Sequence, residues 1–134
     1  MIVTLVHRIP GDCHMYFPTE LNYTGTAGEM KITLTAVEET PYVVHRTFSV
    51  EDSRTQKTKV VEHYHFTGWQ DWQLPEGPSR ESLAGLVEQA AAYITANKDK
   101  QGEERNRLLV HCRAGIGRTG TTISLISSVI AIRE

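Results

Sequence analysis

Apolar and polar residues alternate along two stretches of the chain, Met30 to Ala36 and Tyr42 to Val50, with Pro41 between them. A period of two sends successive side chains to opposite faces, so the pair is predicted as two antiparallel strands, each half buried. Glu51 to Thr55 is a polar turn, and Thr58 to Phe66 is a third extended run. Upstream, Ile2 to Val6 reads as a short strand ended by Pro10-Gly11, and Pro18 to Gly28, rich in Thr, Gly and Asn, reads as a loop.

The period changes downstream. Trp69 to Pro78 holds two prolines and a glycine and is excluded from regular structure. Ser79 is placed to cap a helix in which Leu83, Leu86, Val87, Ala90, Ala91 and Ile94 share one face, running to Asn97. Lys98 to Arg105 is a charged, solvated connection. Arg107 to His111 is a compact apolar strand, and Thr119 to Arg133, apolar nearly all round, is predicted as a buried helix. The order predicts an α/β fold, a mixed twisted sheet flanked by helices, with no repeat and no linker dividing the chain.

Composition narrows the function classes. The 134 residues are 40% hydrophobic and 22% charged, with 14 Lys+Arg against 16 Asp+Glu and a net charge of −2. That balance lacks the basic footprint of a non-specific nucleic-acid binder or a polybasic membrane-surface protein. The longest apolar stretch, near Ile123 to Ile132, is broken by serines and falls short of the ~20 residues of a membrane span. Cys13 and Cys112 make no CxxC or Cys/His ladder, so neither a disulfide framework nor a zinc site is expected, and a reduced, cytoplasmic setting is the default.

The sharpest signal is His111-Cys112-Arg113-Ala114-Gly115-Ile116-Gly117-Arg118-Thr119-Gly120, between a predicted strand and a predicted helix. Residues 115–120 match the GxGxxG dinucleotide pattern, but no second strand with an acidic residue about 20 positions on follows. Gly115 and Gly120 have Walker A spacing, but Thr121 stands where the phosphate-binding lysine belongs. A cysteine phosphatase loop, Cys112 followed by five residues and then Arg118, meets neither objection. A phosphate monoester needs a cradle of backbone N–H groups, which a loop curling into a helix N-terminus provides. Arg113, Ala114, Gly115, Ile116 and Gly117 would form that cradle, with glycine at 115 and 117 letting backbone approach the anion. Arg118 would bind two phosphate oxygens through its planar fork. Cys112, at the focus of those dipoles, would be a thiolate nucleophile of lowered pKa. The Thr119 hydroxyl would stabilise that thiolate as it leaves, and His111 would orient the loop rather than act as a base.

Val110 to Gly120 resembles the V-H-C-x-A-G-x-G-R-[ST]-G signature of the tyrosine-specific protein phosphatases; Arg113 stands where most members carry serine. A second segment, Tyr64 to Glu76, resembles the family's mobile W-P-D loop. The resemblance implies Trp69 as hinge, Asp71 as the general acid and Pro75 as the proline that closes the loop. Gln70 replaces the family proline, which bears on the open–closed balance of that loop. The acid has its own chemical warrant, because a phenolate leaves poorly without a proton and a lid carboxylic acid can supply it. Ile2 to Leu5 with Cys13 to Pro18 resembles the family's I-V-M-L and K-C-x-x-Y-W-P stretch. His7 stands where the family has a glutamate that helps hold the signature arginine, Asp12 replaces a basic residue, and Cys13 is expected to be structural and buried.

The family's catalytic domain is much longer, so residues 1–134 are expected to form only its middle part and to expose apolar surface. The implied reaction is hydrolysis of phosphotyrosine in proteins through a cysteinyl-phosphate, requiring no metal and no cofactor, with phosphotyrosine proteins as partners. The loop chemistry alone would also permit a dual-specificity or lipid phosphatase, and two alternatives of other classes stay open. One is an impaired pseudophosphatase acting as a phosphotyrosine-binding module, kept in play by Gln70 and the changes at 7 and 12. The other is arsenate-reductase-like use of the loop, which would want further redox cysteines beyond Cys13.

Overall fold

The computed structural model describes residues 1–6, 9, 15–69, 73–100, 107–113 and 117–133. Among them, β1 (Ile2–Thr4), β2 (Thr24–Ala27), β3 (Met30–Glu39), β4 (Val43–Asp52), β5 (Thr58–Phe66) and β6 (Leu109–His111) form one sheet, with α1 (Pro78–Asn97) and α2 (Arg118–Arg133). The strand order is β2-β3-β4-β5-β1-β6. Strands β2 to β5 pair antiparallel, whereas β1 pairs parallel with β5 on one side and β6 on the other. The predicted mixed α/β sheet is thus present.

Alternation gives each face of the sheet its own core. Val3, Leu5 and Phe66 face α1 and α2 and pack with Leu83, Leu86, Val87, Ala90, Ala91 and Ile126. Burying each of the valine, leucine, isoleucine and phenylalanine side chains among these contributes about 1.5–3 kcal/mol. On the other face Leu34 and Phe48 pack against Phe17, and Arg46 lies over the Phe17 ring at 4.7 Å. His63, paired in register with Ile2, is on this second face and is fully buried. Its ring lies 4.8 Å from that of Phe17.

Three expectations are corrected. The stretch from Pro18 to Gly28 is not all loop: Thr24–Ala27 forms β2 and pairs antiparallel with Met30 to Thr33. Its Thr-Gly-Thr-Ala sequence has no apolar alternation, because it is an edge strand and mostly exposed. Ser79 is not the N-cap of α1. Gly77 holds that position at φ 54°, a left-handed backbone suited to glycine, and Pro78 opens the helix, where its missing N–H costs nothing. The Ser79 hydroxyl donates to the Glu76 carbonyl at 2.8 Å and accepts from the Glu76 N–H at 3.1 Å, tightening the turn before the helix. Finally, α2 is not buried all round: Arg118, Thr119, Thr122 and Ile126 are buried, while Ile123, Leu125 and Ile132 are exposed. Its outer end is tied to α1 by Arg133 and Glu88.

Candidate active site

Three parallel strands, β5, β1 and β6, end at one edge of the sheet. In α/β sheets, ligands bind where the carboxyl ends of parallel strands deliver their loops. Here β5 leads to Trp69, β1 to Leu5, and β6 to Cys112. Register fixes the alignment: Thr4 pairs with His65 on one side and His111 on the other. The Leu5 N–H then donates to the His111 carbonyl at 2.9 Å, extending the β1–β6 ladder up to the residue before the cysteine.

Cys112 is buried, and Arg118, the first residue of α2, is only 3% exposed. A guanidinium so deeply placed needs acceptors, since an unpaired buried charge costs several kcal/mol. Two backbone carbonyls answer: Arg118 Nη1 donates to Leu5 O at 3.2 Å and to Trp69 O at 3.1 Å. The arginine therefore joins the ends of β1 and β5 to the start of α2. That is support for Arg118 from main chain, which no side-chain motif announces; His7, the residue singled out for that role, lies outside the described residues.

Trp69 is buried, and its indole N–H donates to Gln73 O at 2.6 Å, drawing together the two sides of the 70–72 segment. Asp71 and Gln70 lie outside the described residues, as do Ala114, Gly115, Ile116, Asp12 and Cys13. Pro75 is half-buried, while Arg113 and Gly117 are exposed. The Gly117 backbone is not left-handed, and apart from its chain neighbour no described residue has an atom within 4 Å of where a Cβ would sit, so none of them demands glycine there. Gly68 is the opposite case. A Cβ there would meet Ser79 Cβ at 2.9 Å and Phe66 Cζ and Tyr42 Cδ1 at 3.0 Å, so any larger residue would have to displace these neighbours where the chain passes to Trp69.

The α2 N-terminus, six residues after Cys112 in the chain, has no acidic residue in its first turn. Its macrodipole thus presents uncompensated partial positive charge where an anion would sit. Thr119 Oγ1, one residue beyond the arginine, is buried without a hydrogen-bond partner among the described residues. His111 is held on both ring nitrogens: Nδ1 lies 3.3 Å from the Cys112 carbonyl oxygen, and Nε2 lies 2.6 Å from the Tyr16 hydroxyl and 2.8 Å from that of Thr4. Sequence reasoning passed over Thr4, His63 and Gly68, whose importance depends on strand order rather than on motif. An apolar cavity of about 440 Å³ between α1, α2 and β6, lined by Ile94, Leu108, Val110, Ile126 and Ile130, includes neither Cys112 nor Arg118 and is not part of this site.

A family model described as protein-tyrosine phosphatase matches residues 1–134. The chain belongs to the protein-tyrosine phosphatase family. It is similar to receptor-type tyrosine-protein phosphatase V of Rattus norvegicus, 34% identical over 122 residues, which is 91% of this chain and 7% of that protein. It is 29% identical over 125 residues to receptor-type tyrosine-protein phosphatase eta of Gallus gallus, covering 93% of this chain and 8% of the relative. Tyrosine-protein phosphatase non-receptor type 2 of Homo sapiens is 28% identical over 137 residues, covering 100% of this chain and 31% of the relative. The chain thus spans less than a third of each of these tyrosine phosphatases. No helix among the described residues is long and apolar enough to cross a membrane.

Proposed function

We propose that residues 1–134 contribute the nucleophile, arginine and acid segments of a protein-tyrosine phosphatase catalytic domain. The substrate is phosphotyrosine in proteins, and the reaction runs through a cysteinyl-phosphate. The observation that carries this reading is the buried pair Cys112 and Arg118 at the carboxyl ends of parallel strands, with Arg118 tied to Trp69 at the foot of the acid-bearing segment.

In the first step Cys112 Sγ attacks phosphorus and the P–O bond to the tyrosine oxygen breaks, with Asp71 giving its proton to the leaving phenolate. Arg118 and the amides of residues 113–117 stabilise the equatorial oxygens as charge shifts onto them. In the second step water attacks phosphorus, Asp71 takes its proton, and the thiolate leaves with the Thr119 hydroxyl beside it. Glycine at 117 then serves the anion rather than the fold, consistent with the lack of close contacts there from the described residues. Neither step requires a metal. A reducing cytoplasmic setting would keep Cys112 available as the nucleophile.

The test is turnover of para-nitrophenyl phosphate in chelator by the chain, beside Cys112→Ser and Asp71→Ala. Turnover abolished by Cys112→Ser is expected, with Asp71→Ala losing more on phosphotyrosine peptide, whose leaving group needs the proton. Equal rates for wild type and Cys112→Ser would overturn the enzyme reading. Vanadate binding with no turnover would instead assign the chain to phosphotyrosine binding.

A further inference from the structure

Four polar atoms meet on the face of the sheet away from the helices. Thr4 Oγ1 lies 3.0 Å from His63 Nε2 and 2.8 Å from His111 Nε2, and the Tyr16 hydroxyl lies 2.9 Å and 2.6 Å from the same two nitrogens. The two hydroxyls are themselves 2.9 Å apart. Two imidazoles are therefore bridged twice, once through Thr4 and once through Tyr16.

The proton positions follow from the outer nitrogens. His63 is fully buried and its Nδ1 has no hydrogen-bond partner among the described residues. A proton there would be an orphaned buried donor, which costs about 1–3 kcal/mol, so the ring proton belongs on Nε2, where two hydroxyl oxygens can accept it. Burial, reinforced by the positive charge of Arg46, pushes His63 down to about 3, so the ring is neutral and carries one proton only. At the other end, His111 Nδ1 faces the Cys112 carbonyl at 3.3 Å and must carry a proton to bond to it. That leaves His111 Nε2 as an acceptor. Whichever hydroxyl comes last, the bonds run one way: from the His63 Nε2–H through hydroxyls to His111 Nε2, and from the His111 Nδ1–H to the Cys112 carbonyl.

We propose that His63 is a positioning residue which, through Thr4 and Tyr16, fixes the tautomer of His111 and so holds the Cys112 peptide in place. His63 touches neither the cysteine nor any reacting atom. It supplies a donor, and the hydroxyls pass that donation on to His111 Nε2, which can accept it only in the Nδ1–H tautomer. The double bridge makes the device redundant, since either hydroxyl alone can carry the relay. Its consequence for turnover rests on the phosphatase reading above; the proton arrangement does not.

The experiment is a long-range ¹H–¹⁵N correlation of the histidine rings in the labelled chain, assigned by single substitutions. Wild type is expected to show His63 protonated on Nε2 and His111 on Nδ1. Thr4→Val and Tyr16→Phe should each preserve both tautomers, whereas the double variant, which cuts both bridges and keeps His63, should release His111 from a single tautomer. His63→Gln, with its amide N–H near the place of Nε2, should hold the His111 tautomer, and His63→Leu should not. Aryl phosphate turnover should fall up to about 100-fold in the double variant and in His63→Leu, as expected for a misplaced reacting group, and recover in His63→Gln. A His63 proton on Nδ1, or an unchanged His111 tautomer in the double variant, would overturn the inference. A chain with both expected tautomers and no turnover would sustain it while failing the phosphatase reading.

Discussion

Arg118 Nη1 donates to the Trp69 carbonyl oxygen at 3.1 Å, across 49 positions of sequence. The same nitrogen bonds the Leu5 carbonyl at 3.2 Å, so one guanidinium bridges three segments that meet only in the folded chain. The arginine that would bind phosphate is thereby also a structural tie between the start of α2 and the root of the acid-bearing segment.

Replacing that arginine should therefore cost both folding and function. Arg118→Lys keeps the charge but loses the planar fork that reaches two carbonyls while facing an anion. We expect destabilisation of about 1–3 kcal/mol, the cost of leaving buried carbonyls poorly paired, read as a lower denaturant midpoint. Turnover should fall by about 10²–10³-fold, the scale seen when a transition-state donor is removed. Unchanged vanadate affinity in Arg118→Lys would contradict the assignment.

Two glycines should respond in opposite senses to alanine. At Gly68 a methyl group would press on Ser79, Phe66 and Tyr42 at 2.9–3.0 Å, so Gly68→Ala is expected to destabilise by about 1–3 kcal/mol through overpacking. Gly85 lies inside α1 with open space around its Cβ direction. Gly85→Ala should stabilise by roughly 0.5–1 kcal/mol, since alanine loses less backbone entropy in a helix. Equilibrium unfolding of the two variants in parallel checks both signs.

Thr119 and Thr122, one turn apart on α2, each bury a hydroxyl oxygen without a hydrogen-bond partner among the described residues. If Thr119 serves the departing thiolate, Thr119→Val should leave stability intact or improved while slowing turnover. Stopped-flow would then show accumulation of phosphoenzyme after a fast first step. Thr122→Val has no such function to lose and should only stabilise, by about 1 kcal/mol, by removing an unsatisfied buried group. Equal kinetic effects at the two positions would refute the distinction.

Acid should weaken the fold through His63. Its folded-state pKa, about 3, lies below the ordinary 6.5 because burial disfavours the charged ring. Between those values the unfolded chain binds the additional proton, so stability rises with pH there. The contribution is intact above pH 6.5 and is lost as pH falls toward 3, with a slope of up to ~1.4 kcal/mol per pH unit. His63→Gln has nothing to protonate, so its denaturant midpoint should fall less between about pH 7 and pH 4 than that of wild type.

Much of this was legible in the residues, for identifiable reasons. Alternation over Met30 to Val50 marks strands because one side of each faces a core, and the β3–β4–β5 meander follows. The Cys112 to Arg118 spacing marks a strand-to-helix turn because its chemistry tolerates few other residues. What escaped was set by neighbours in space. Thr24 to Ala27 joins the sheet because β3 offers it a partner, not through its own pattern. Gly77 takes the cap from Ser79 because a left-handed turn there sets the helix entry. The partners of Arg118 are carbonyls, and every residue has one, so no sequence signal could single out Leu5 and Trp69. His63 looked like one more strand position until the order β5-β1-β6 placed it two bonds from His111.

The central position of β1 also bears on how the site comes into being during synthesis. β1 precedes both of its neighbours in the chain, pairing with His63 to His65 and with Leu109 to His111. The antiparallel meander of β2 to β5 is local and can form early, but the second ladder of β1 must wait for chain about a hundred residues downstream. On a ribosome, the cysteine, its histidine and the arginine therefore emerge well after the rest of the sheet, and they come together only when that distant pairing is complete. A nascent chain that stops short of β6 has most of its sheet and lacks the proposed nucleophile.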